Sequence, residues 1–359
     1  MISTILISIL AATAGAVLVS GPTGPYAVSM SVQGLTDNSR SDPYAPADNR
    51  HPRRVMISTF TPVDETKTPC RRRQAVPYMT PLVAGEYDEL GAALGLSNGT
   101  FSSFEMNLCV PKASSCRSGL ASYPLVLFSP GSGNPRLLYG AMAREVASYG
   151  YAVVTIDHPY DASFVEFPDG TVFRAVRAED SSFVLSHLFE NPVPGIDFSR
   201  AIMYGHSLGG TTAATAMLSD PRIRGGINFD GRLLGPALSA GLDKPFLLAG
   251  RPKHMEEDST WDMFYSKLRH GALVEVGGTT HGSFTDVPTL IQSLNLTLPE
   301  ELKSILQSQF GTLEFGRAGR VVAGIVSAFS DFVLEKKMGS MFTAGDDEYP
   351  EVAVLRADL

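Results

Sequence analysis

From residue 123 onward, short apolar segments alternate with segments of helical periodicity, and this alternation restricts the fold more than any other feature of the chain. The apolar segments are hydrophobic on both faces, as strands are when helices cover both sides of a mostly parallel sheet. Predicted strands cover residues 124–128, 152–156, 201–204, 226–229, 245–249 and 273–276, and predicted helices cover residues 137–149, 181–190 and 209–218. The sequence therefore predicts an α/β fold.

Ser207 lies between a predicted strand and a predicted helix, in the pentapeptide Gly205-His206-Ser207-Leu208-Gly209. This G-x-S-x-G pattern is typical of a nucleophile elbow, a sharp turn that presents the serine hydroxyl to a histidine base. The glycines two residues to either side let the backbone turn without a Cβ clash. We therefore predict Ser207 to be a catalytic nucleophile.

A serine nucleophile needs a histidine base, which follows it at the carboxyl end of a later strand. The histidines after the elbow are His254, His270 and His281. His281 follows the last predicted strand through a Gly-Gly-Thr-Thr loop, where a base is expected. His254 lies in the charged stretch 251–258 and His270 ends a predicted helix, so we predict both to be solvated. The sequence favours His281 as the base.

The base in turn needs a carboxylate that orients it, between the serine and the histidine in chain order. Asp230 ends the predicted strand 226–229, a position from which it can reach a neighbouring loop. Its alternative role is an ordinary Asp-Gly turn. Asp243, Asp258 and Asp262 precede a strand or begin a polar helix, where they can cap or be solvated. We predict Asp230 to be the acid.

Two backbone N–H groups are expected to stabilise the oxyanion of the tetrahedral intermediate. One is that of Leu208, directly after the nucleophile at the start of a helix. The loop after the first predicted strand, residues 129–133, supplies the second, and we predict the N–H of Ser132. Pro130 has no N–H and is excluded.

Two further histidines lie near the predicted site. His158 follows the strand 152–156, but no serine and carboxylate line up with it in the required order. We predict it to be a structural residue of the site wall. His206, inside the elbow, is predicted to pack or to contact the site indirectly.

The chain has 359 residues and a formal net charge of −8. It can bury a large core, and one catalytic domain with extensions is the simplest organisation. An acidic protein does not attract the phosphate backbone, so we expect no nucleic-acid partner, whereas contact with a lipid surface stays open. No cluster of ligand residues has metal-binding spacing, and we expect neither a metal nor a cofactor.

Residues 1–20 carry no charged side chain and contain an apolar stretch followed by the small-residue patterns Ala12-Thr13-Ala14 and Ala14-Gly15-Ala16. They are typical of a secretory signal peptide, which predicts an extracellular protein. The usual Lys or Arg near the start is missing, so a membrane anchor and a buried N-terminal helix are the alternatives.

Residues 21–122 are predicted to form an N-terminal arm and a Cys-containing extension that packs on the catalytic core of residues 123–359, with an early strand at residues 54–62. Cys70, Cys109 and Cys116 permit one disulfide, whose pairing the sequence leaves open, and one remaining thiol. The sequons at Asn98 and Asn295 are compatible with glycosylation on a secretory route.

Several stretches in combination resemble the platelet-activating-factor acetylhydrolase family, especially its secreted fungal members. They are Phe128-Ser129-Pro130-Gly131-Ser132-Gly133, Ala147-Ser148-Tyr149 with Gly150-Tyr151-Ala152-Val153-Val154, Gly205-His206-Ser207-Leu208-Gly209-Gly210, Asn228-Phe229-Asp230-Gly231 and Thr280-His281-Gly282-Ser283-Phe284-Thr285-Asp286. The resemblance runs from about Tyr123 to Asp286, with a looser match in the N-terminal arm. Pro130 departs from it, because many relatives carry a histidine there.

This resemblance implies an α/β-hydrolase fold with Ser207, Asp230 and His281 as the triad and with Leu208 and Ser132 as oxyanion donors. The implied activity is calcium-independent hydrolysis of short or oxidised acyl chains from glycerophospholipids. A general secreted carboxylesterase or lactonase acting on a small natural-product ester is the alternative. A catalytically inactive hydrolase fold used for binding is a distant one.

Overall fold

The computed structural model describes residues 15–45, 48, 50–93, 96–111, 122–162, 165–169, 172–173, 178–343 and 345–359. The strands are β1 (Val17–Leu18), β2 (Ala27–Ser41), β3 (Pro52–Val63), β4 (Cys70–Pro77), β5 (Phe104–Pro111), β6 (Tyr123–Ser129), β7 (Ala152–Asp157), β8 (Val165–Glu166), β9 (Val172–Phe173), β10 (Ile196–His206), β11 (Ile223–Phe229), β12 (Phe246–Gly250), β13 (Gly271–Val276) and β14 (Val352–Asp358). The helices are α1 (Pro81–Ala93), α2 (Gly140–Ser148), α3 (Ala178–Glu190), α4 (Leu208–Ser219), α5 (Pro236–Ala240), α6 (His254–Glu257), α7 (Ser259–Tyr265), α8 (Val287–Ser293), α9 (Glu300–Phe310) and α10 (Arg317–Glu335).

A nine-stranded sheet forms the centre of the molecule, in the order β14-β13-β12-β11-β10-β6-β7-β3-β2. The six strands from β13 to β7 pair in parallel, and antiparallel strands flank them on both sides. This sheet confirms the predicted mostly parallel architecture. The central strand β10 ends directly before Ser207, so the predicted nucleophile lies at the carboxyl edge of the parallel strands.

Helices cover both faces of the sheet. In β6, Val126 and Phe128 pack into a cluster with α2 and α10, whereas Leu125 and Leu127 pack into a second cluster with α3, α4 and α7. Neighbouring residues of one strand thus enter opposite cores, because side chains alternate along a strand. This explains why the predicted strands are apolar at consecutive positions.

The N-terminal part contributes more to the sheet than the sequence predicts. The predicted strand at 54–62 is β3, but β2 lies in the stretch predicted as an arm and pairs with β3 along most of its length. Both strands come from the predicted extension of residues 21–122 and join the main sheet through β7. Strands from both sides of the predicted boundary at residue 122 therefore belong to one sheet.

Residues 17–20 pack on the body of the molecule, although the sequence places them in the signal peptide. β1 pairs in parallel with β5, and Val19 is only 3% exposed within the hydrophobic core. The buried guanidinium of Arg144 donates to the carbonyl oxygen of Val19 at 3.0 Å and also to that of Ser20. The last four residues of the predicted signal segment thus pack on the body, while residues 1–14 lie outside the described part.

A smaller sheet in the order β1-β5-β4 carries the disulfide. Cys70 in β4 and Cys109 in β5 are bonded, with their Cα atoms 5.4 Å apart. Cys116, the third cysteine, lies outside the described residues. In the part of the chain that the structure describes, no helix combines the length and the apolar character that crossing a bilayer requires.

Candidate active site

The turn between β10 and α4 holds Ser207 in a strained conformation. Its backbone has φ 55° and ψ −125°, which residues with a side chain rarely adopt. A Cβ on Gly205 would lie 2.2 Å from the carbonyl carbon of Gly209, and a Cβ on Gly209 would lie 2.0 Å from the carbonyl oxygen of Ser129. Only glycine fits at either position, so the elbow packs tightly against the end of β6.

Asp230 and His281 meet beside this turn. Asp230 follows β11, and Oδ2 of its buried carboxylate accepts a hydrogen bond from Nδ1 of His281 at 2.6 Å. The side chain of His281, which begins a 3₁₀ turn after β13, is 52% exposed. Its ring centroid lies 4.6 Å from that of His206, the residue before Ser207. The three predicted catalytic residues therefore lie at one edge of the sheet.

The carboxylate of Asp230 is kept ionised by its surroundings. Burial by itself raises the pKa of Asp230, but hydrogen bonds from His254, His281 and the backbone N–H of Arg251 together lower it well below its usual range. An ionised carboxylate can only accept, so Nδ1 of His281 carries the proton of their hydrogen bond. The Nε2 atom of His281 is then left to take a proton from a serine hydroxyl.

The segments that carry the two predicted oxyanion donors meet where Gly209 packs against Ser129. Leu208 is the first residue of α4, so its N–H has no partner within the helix and lies at the positive end of the helix dipole. Ser132 is exposed in the loop after β6. The N–H of Gly133 donates to the carbonyl oxygen of Asp161 at 3.1 Å, which pins this loop next to Ser132.

One phenol hydroxyl joins the loop after β6 to the elbow. The Tyr139 hydroxyl accepts from the N–H of Gly131 at 3.1 Å and from Nδ2 of Asn134 at 2.9 Å. It lies 2.9 Å from Nδ1 of His206. Because it accepts two hydrogen bonds, its own proton goes to His206. The sequence analysis did not identify Tyr139, since a tyrosine in a 3₁₀ turn has no signature of this role.

His254 is not the solvated histidine that the sequence predicts. It is 7% exposed, its Nδ1 lies 2.8 Å from Oδ1 of Asp230, and its ring lies 4.1 Å from that of Trp261. Charged residues do surround His254 in the sequence, but α6 and α7 fold back so that Trp261 covers the imidazole. The prediction is wrong because this burial depends on Asp230 after β11 and on Trp261 in α7.

His158 has a serine and a carboxylate as partners, but the three follow the chain order Ser, His, Asp and not the order Ser, Asp, His of the predicted triad. Nε2 of His158 lies 3.0 Å from Oγ of Ser129, and its Nδ1 lies 3.2 Å from Oδ2 of Asp180. Arg53 donates to Asp180 from Nε at 3.0 Å and from Nη2 at 2.7 Å. All four side chains are buried. The predicted structural role of His158 agrees with this burial, and the chain order of the three residues differs from that of the predicted triad, as expected.

The last candidate base, His270, lies at the amino end of its strand, opposite the edge that holds Ser207. His270 lies in the turn before β13, and its carbonyl oxygen accepts from the N–H of Phe246 at 3.0 Å. Among the described residues, no three His, Cys, Asp or Glu side chains are grouped so that they could hold a metal ion.

Comparisons with known proteins show the family to which the chain belongs. The model of the family described as "Platelet-activating factor acetylhydrolase, isoform II" matches residues 95–167 and 164–299. A protein of Arthroderma benhamiae, described as a probable 1-alkyl-2-acetylglycerophosphocholine esterase, is 30% identical over 94% of both chains. The platelet-activating factor acetylhydrolase of Cavia porcellus is 24% identical over 46% of this chain and 48% of its own.

A solved structure extends the comparison to the whole fold. The ferulic acid esterase from Streptomyces cinnamoneus superposes with a TM-score of 0.75 and 28% sequence identity, covering 96% of this chain and 100% of the other. A cutinase of Thermobifida fusca is 31% identical over 33% of this chain. The protein is thus an ester hydrolase with an α/β-hydrolase fold, and it belongs to the platelet-activating factor acetylhydrolase isoform II family.

Proposed function

We propose that the protein removes short or oxidised acyl chains from glycerophospholipids, with Ser207 as nucleophile, His281 as base and Asp230 as orienting acid. The observation that carries the chemistry is the 2.6 Å hydrogen bond between Asp230 and His281 beside the strained elbow. Family membership and the esterase named in Arthroderma benhamiae support the substrate class.

In the proposed reaction, Nε2 of His281 takes the proton from Oγ of Ser207 as this oxygen attacks the ester carbonyl carbon. The N–H groups of Leu208 and Ser132 stabilise the oxyanion that forms. When the tetrahedral intermediate collapses, the alcohol leaves with the proton from His281, and the acyl group stays on the serine. A water molecule, deprotonated by His281, then releases the acid and restores the hydroxyl.

A small natural-product ester, or a lactone, is the second candidate substrate. It is favoured by the superposition of nearly the whole chain on a ferulic acid esterase. The distant alternative is an inactive hydrolase fold used for binding. The paired Asp230 and His281 beside a strained serine argue against it, because backbone strain of this kind is typically maintained for function.

Initial hydrolysis rates on one phosphocholine backbone, with acyl chains from acetyl to oleoyl, test the substrate class. We expect a steep preference for short chains and no turnover above background by Ser207→Ala. A feruloyl ester and p-nitrophenyl acetate are measured alongside as head-group-free substrates. Negligible phospholipid turnover together with rapid cleavage of these simple esters would contradict the phospholipid assignment and support the second candidate.

We also propose that the chain is exported, with a leader that ends at Ala14 or Ala16. The disulfide is typical of an oxidising compartment, and both sequon asparagines are exposed. Cleavage after residue 20 would remove the carbonyl groups of Val19 and Ser20 and would leave the buried guanidinium of Arg144 without these hydrogen-bond acceptors.

N-terminal sequencing of protein secreted by a eukaryotic host tests this proposal. We expect the mature chain to begin at Gly15 or Val17, because Val17 is the first residue of β1. A mature chain that begins at Gly21 or later, or that retains Met1, would contradict it.

A further inference from the structure

The carboxylate of Asp230 binds two imidazoles, one at each oxygen. Oδ2 accepts from Nδ1 of His281 at 2.6 Å, and Oδ1 accepts from Nδ1 of His254 at 2.8 Å. The backbone N–H of Arg251 donates to the same Oδ1 at 2.9 Å. These bonds fix the plane of the carboxylate, so that its other oxygen faces His281.

We propose that His254 is a positioning residue that holds Asp230 in the orientation His281 requires and shares the charge of that carboxylate. This inference rests on the proposed catalytic role of Ser207, Asp230 and His281. His254 itself touches no reacting atom in the proposed reaction. It acts through Asp230, as a second donor on the orienting acid.

The surroundings of His254 define its protonation chemistry. Because Asp230 is ionised, Nδ1 of His254 must carry the proton, and in the neutral ring Nε2 is then unprotonated. In the described part of the chain Nε2 has no hydrogen-bond partner, and the nearest charge is Oδ2 of Asp258 at 3.6 Å. The stacked Trp261 covers one face of the ring. A second proton on His254 would therefore point toward another carboxylate.

Charges from several elements face this imidazole, and they do not all act in one direction. The acidic groups are Asp230 after β11 and Glu257 and Asp258 at the end of α6, and the cationic groups are Arg251 after β12 and His281 after β13 when it is protonated. Acidic groups favour a second proton on His254, whereas Arg251 opposes it. A protonated His254 also opposes a proton on His281, since both cations share one carboxylate.

Two consequences follow for the dependence of activity on pH. The acid limb of the pH profile of kcat/KM should report the coupled pair of histidines rather than a single group. Loss of His254 removes both its repulsion of a protonated His281 and a donor that disperses the negative charge of Asp230. Both changes act on His281 through the shared carboxylate, so the acid limb of a variant that lacks His254 should not superpose on the native one.

Two matched substitutions separate the hydrogen bond that His254 donates to Asp230 from the ability of His254 to gain a proton. His254→Asn places an amide N–H where Nδ1 lies but cannot gain a proton, whereas His254→Phe keeps the ring stacked on Trp261 and loses the donor. We expect His254→Phe to lower kcat by about 10- to 100-fold with little change in KM, because Asp230 is misoriented. His254→Asn should keep kcat within a few-fold of the native value and show a single ionisation in its acid limb.

The measurement is kcat/KM for p-nitrophenyl acetate and the rate of Ser207 labelling by an organophosphonate, both from pH 4 to 9, on variants whose folding is verified by circular dichroism. Profiles of both variants that superpose on the native one would overturn the proposal, as would equal losses of kcat in both. If the native protein itself shows no Ser207-dependent labelling, the proposed function has failed instead. The two failures are therefore distinguishable.

Discussion

Two Ser–His–Asp arrangements occur in the described part of the chain, and they differ in access and backbone conformation more than in side-chain bonding. We call them the elbow array (Ser207, His281 and Asp230) and the buried array (Ser129, His158 and Asp180). The histidine–carboxylate distance is 2.6 Å in the elbow array and 3.2 Å in the buried array. The buried array even has a serine–histidine distance of 3.0 Å. Bonding alone therefore does not identify a catalytic triad.

The backbone around each serine differs. Ser207 has a positive φ and opens a helix, whereas Ser129 is the last residue of a strand in the middle of the sheet. A substrate can approach the half-exposed His281, but no part of the buried array reaches the surface. Access and a strained turn thus distinguish a nucleophile from a buried hydroxyl.

The buried array lies directly beside the backbone of the elbow array. The carbonyl oxygen of Ser129 packs directly against Gly209, and the loop that carries Ser132 begins at the next residue. His158, which Asp180 holds in place, lies within hydrogen-bond distance of the Ser129 hydroxyl. We infer that this array stabilises the position of the loop that carries Ser132, the predicted second oxyanion donor.

Alanine at each serine should separate the two arrays most strongly. We expect Ser207→Ala to lower kcat on a short-chain ester by at least about 10⁴-fold, because the nucleophile is lost. Ser129→Ala should keep kcat within about 10-fold and cost about 1–3 kcal/mol of unfolding free energy, since His158 loses a buried partner. The measurements are kcat, urea unfolding and the mass of the organophosphonate adduct. Labelling that survives in Ser207→Ala and disappears in Ser129→Ala would reverse the assignment.

The sequence predicts the parallel strands and the elbow array for the same physical reason. Strands buried on both faces are apolar at consecutive positions, and catalytic residues at the carboxyl ends of such strands stand out against them. Ser207, Asp230 and His281 each follow a strand of this kind, and the structure brings them to one edge. The positions of these three residues relative to the apolar strands are enough for this prediction.

Other features depend on distant partners and leave no local pattern. β2 is an edge strand with many polar residues, so only its pairing with β3 makes it a strand. His254 lies in a polar stretch, and its burial depends on Trp261, which comes from another element. A chain position that looks solvated can be buried wherever another element supplies its hydrogen bonds.

The carboxylates of the two arrays offer the second comparison, with a smaller expected effect. Burial by itself raises the pKa of Asp180, but hydrogen bonds from His158 and Arg53 lower it below its usual value. Asp180→Asn breaks the buried ion pair with Arg53 and should cost about 3–5 kcal/mol of unfolding free energy at pH 7. Its kcat should stay within about 10-fold of the native value. The matched substitution Asp230→Asn should instead lower kcat by about 10⁴-fold, because it disturbs the tautomer of His281.

The dependence of the unfolding free energy on pH tests independently whether Asp180 is a buried, ionised carboxylate. The folded-state pKa of Asp180 lies below its unfolded value of about 3.9, so its ionised form stabilises the fold above that pH. This contribution is lost as the pH falls through the folded-state pKa. Native protein should therefore lose unfolding free energy below about pH 4 more steeply than Asp180→Asn, as measured by urea unfolding from pH 7 to pH 2.5. Parallel curves for the two proteins would mean that Asp180 is not held as a buried carboxylate, and the supporting role of the buried array would then rest on hydrogen bonds alone.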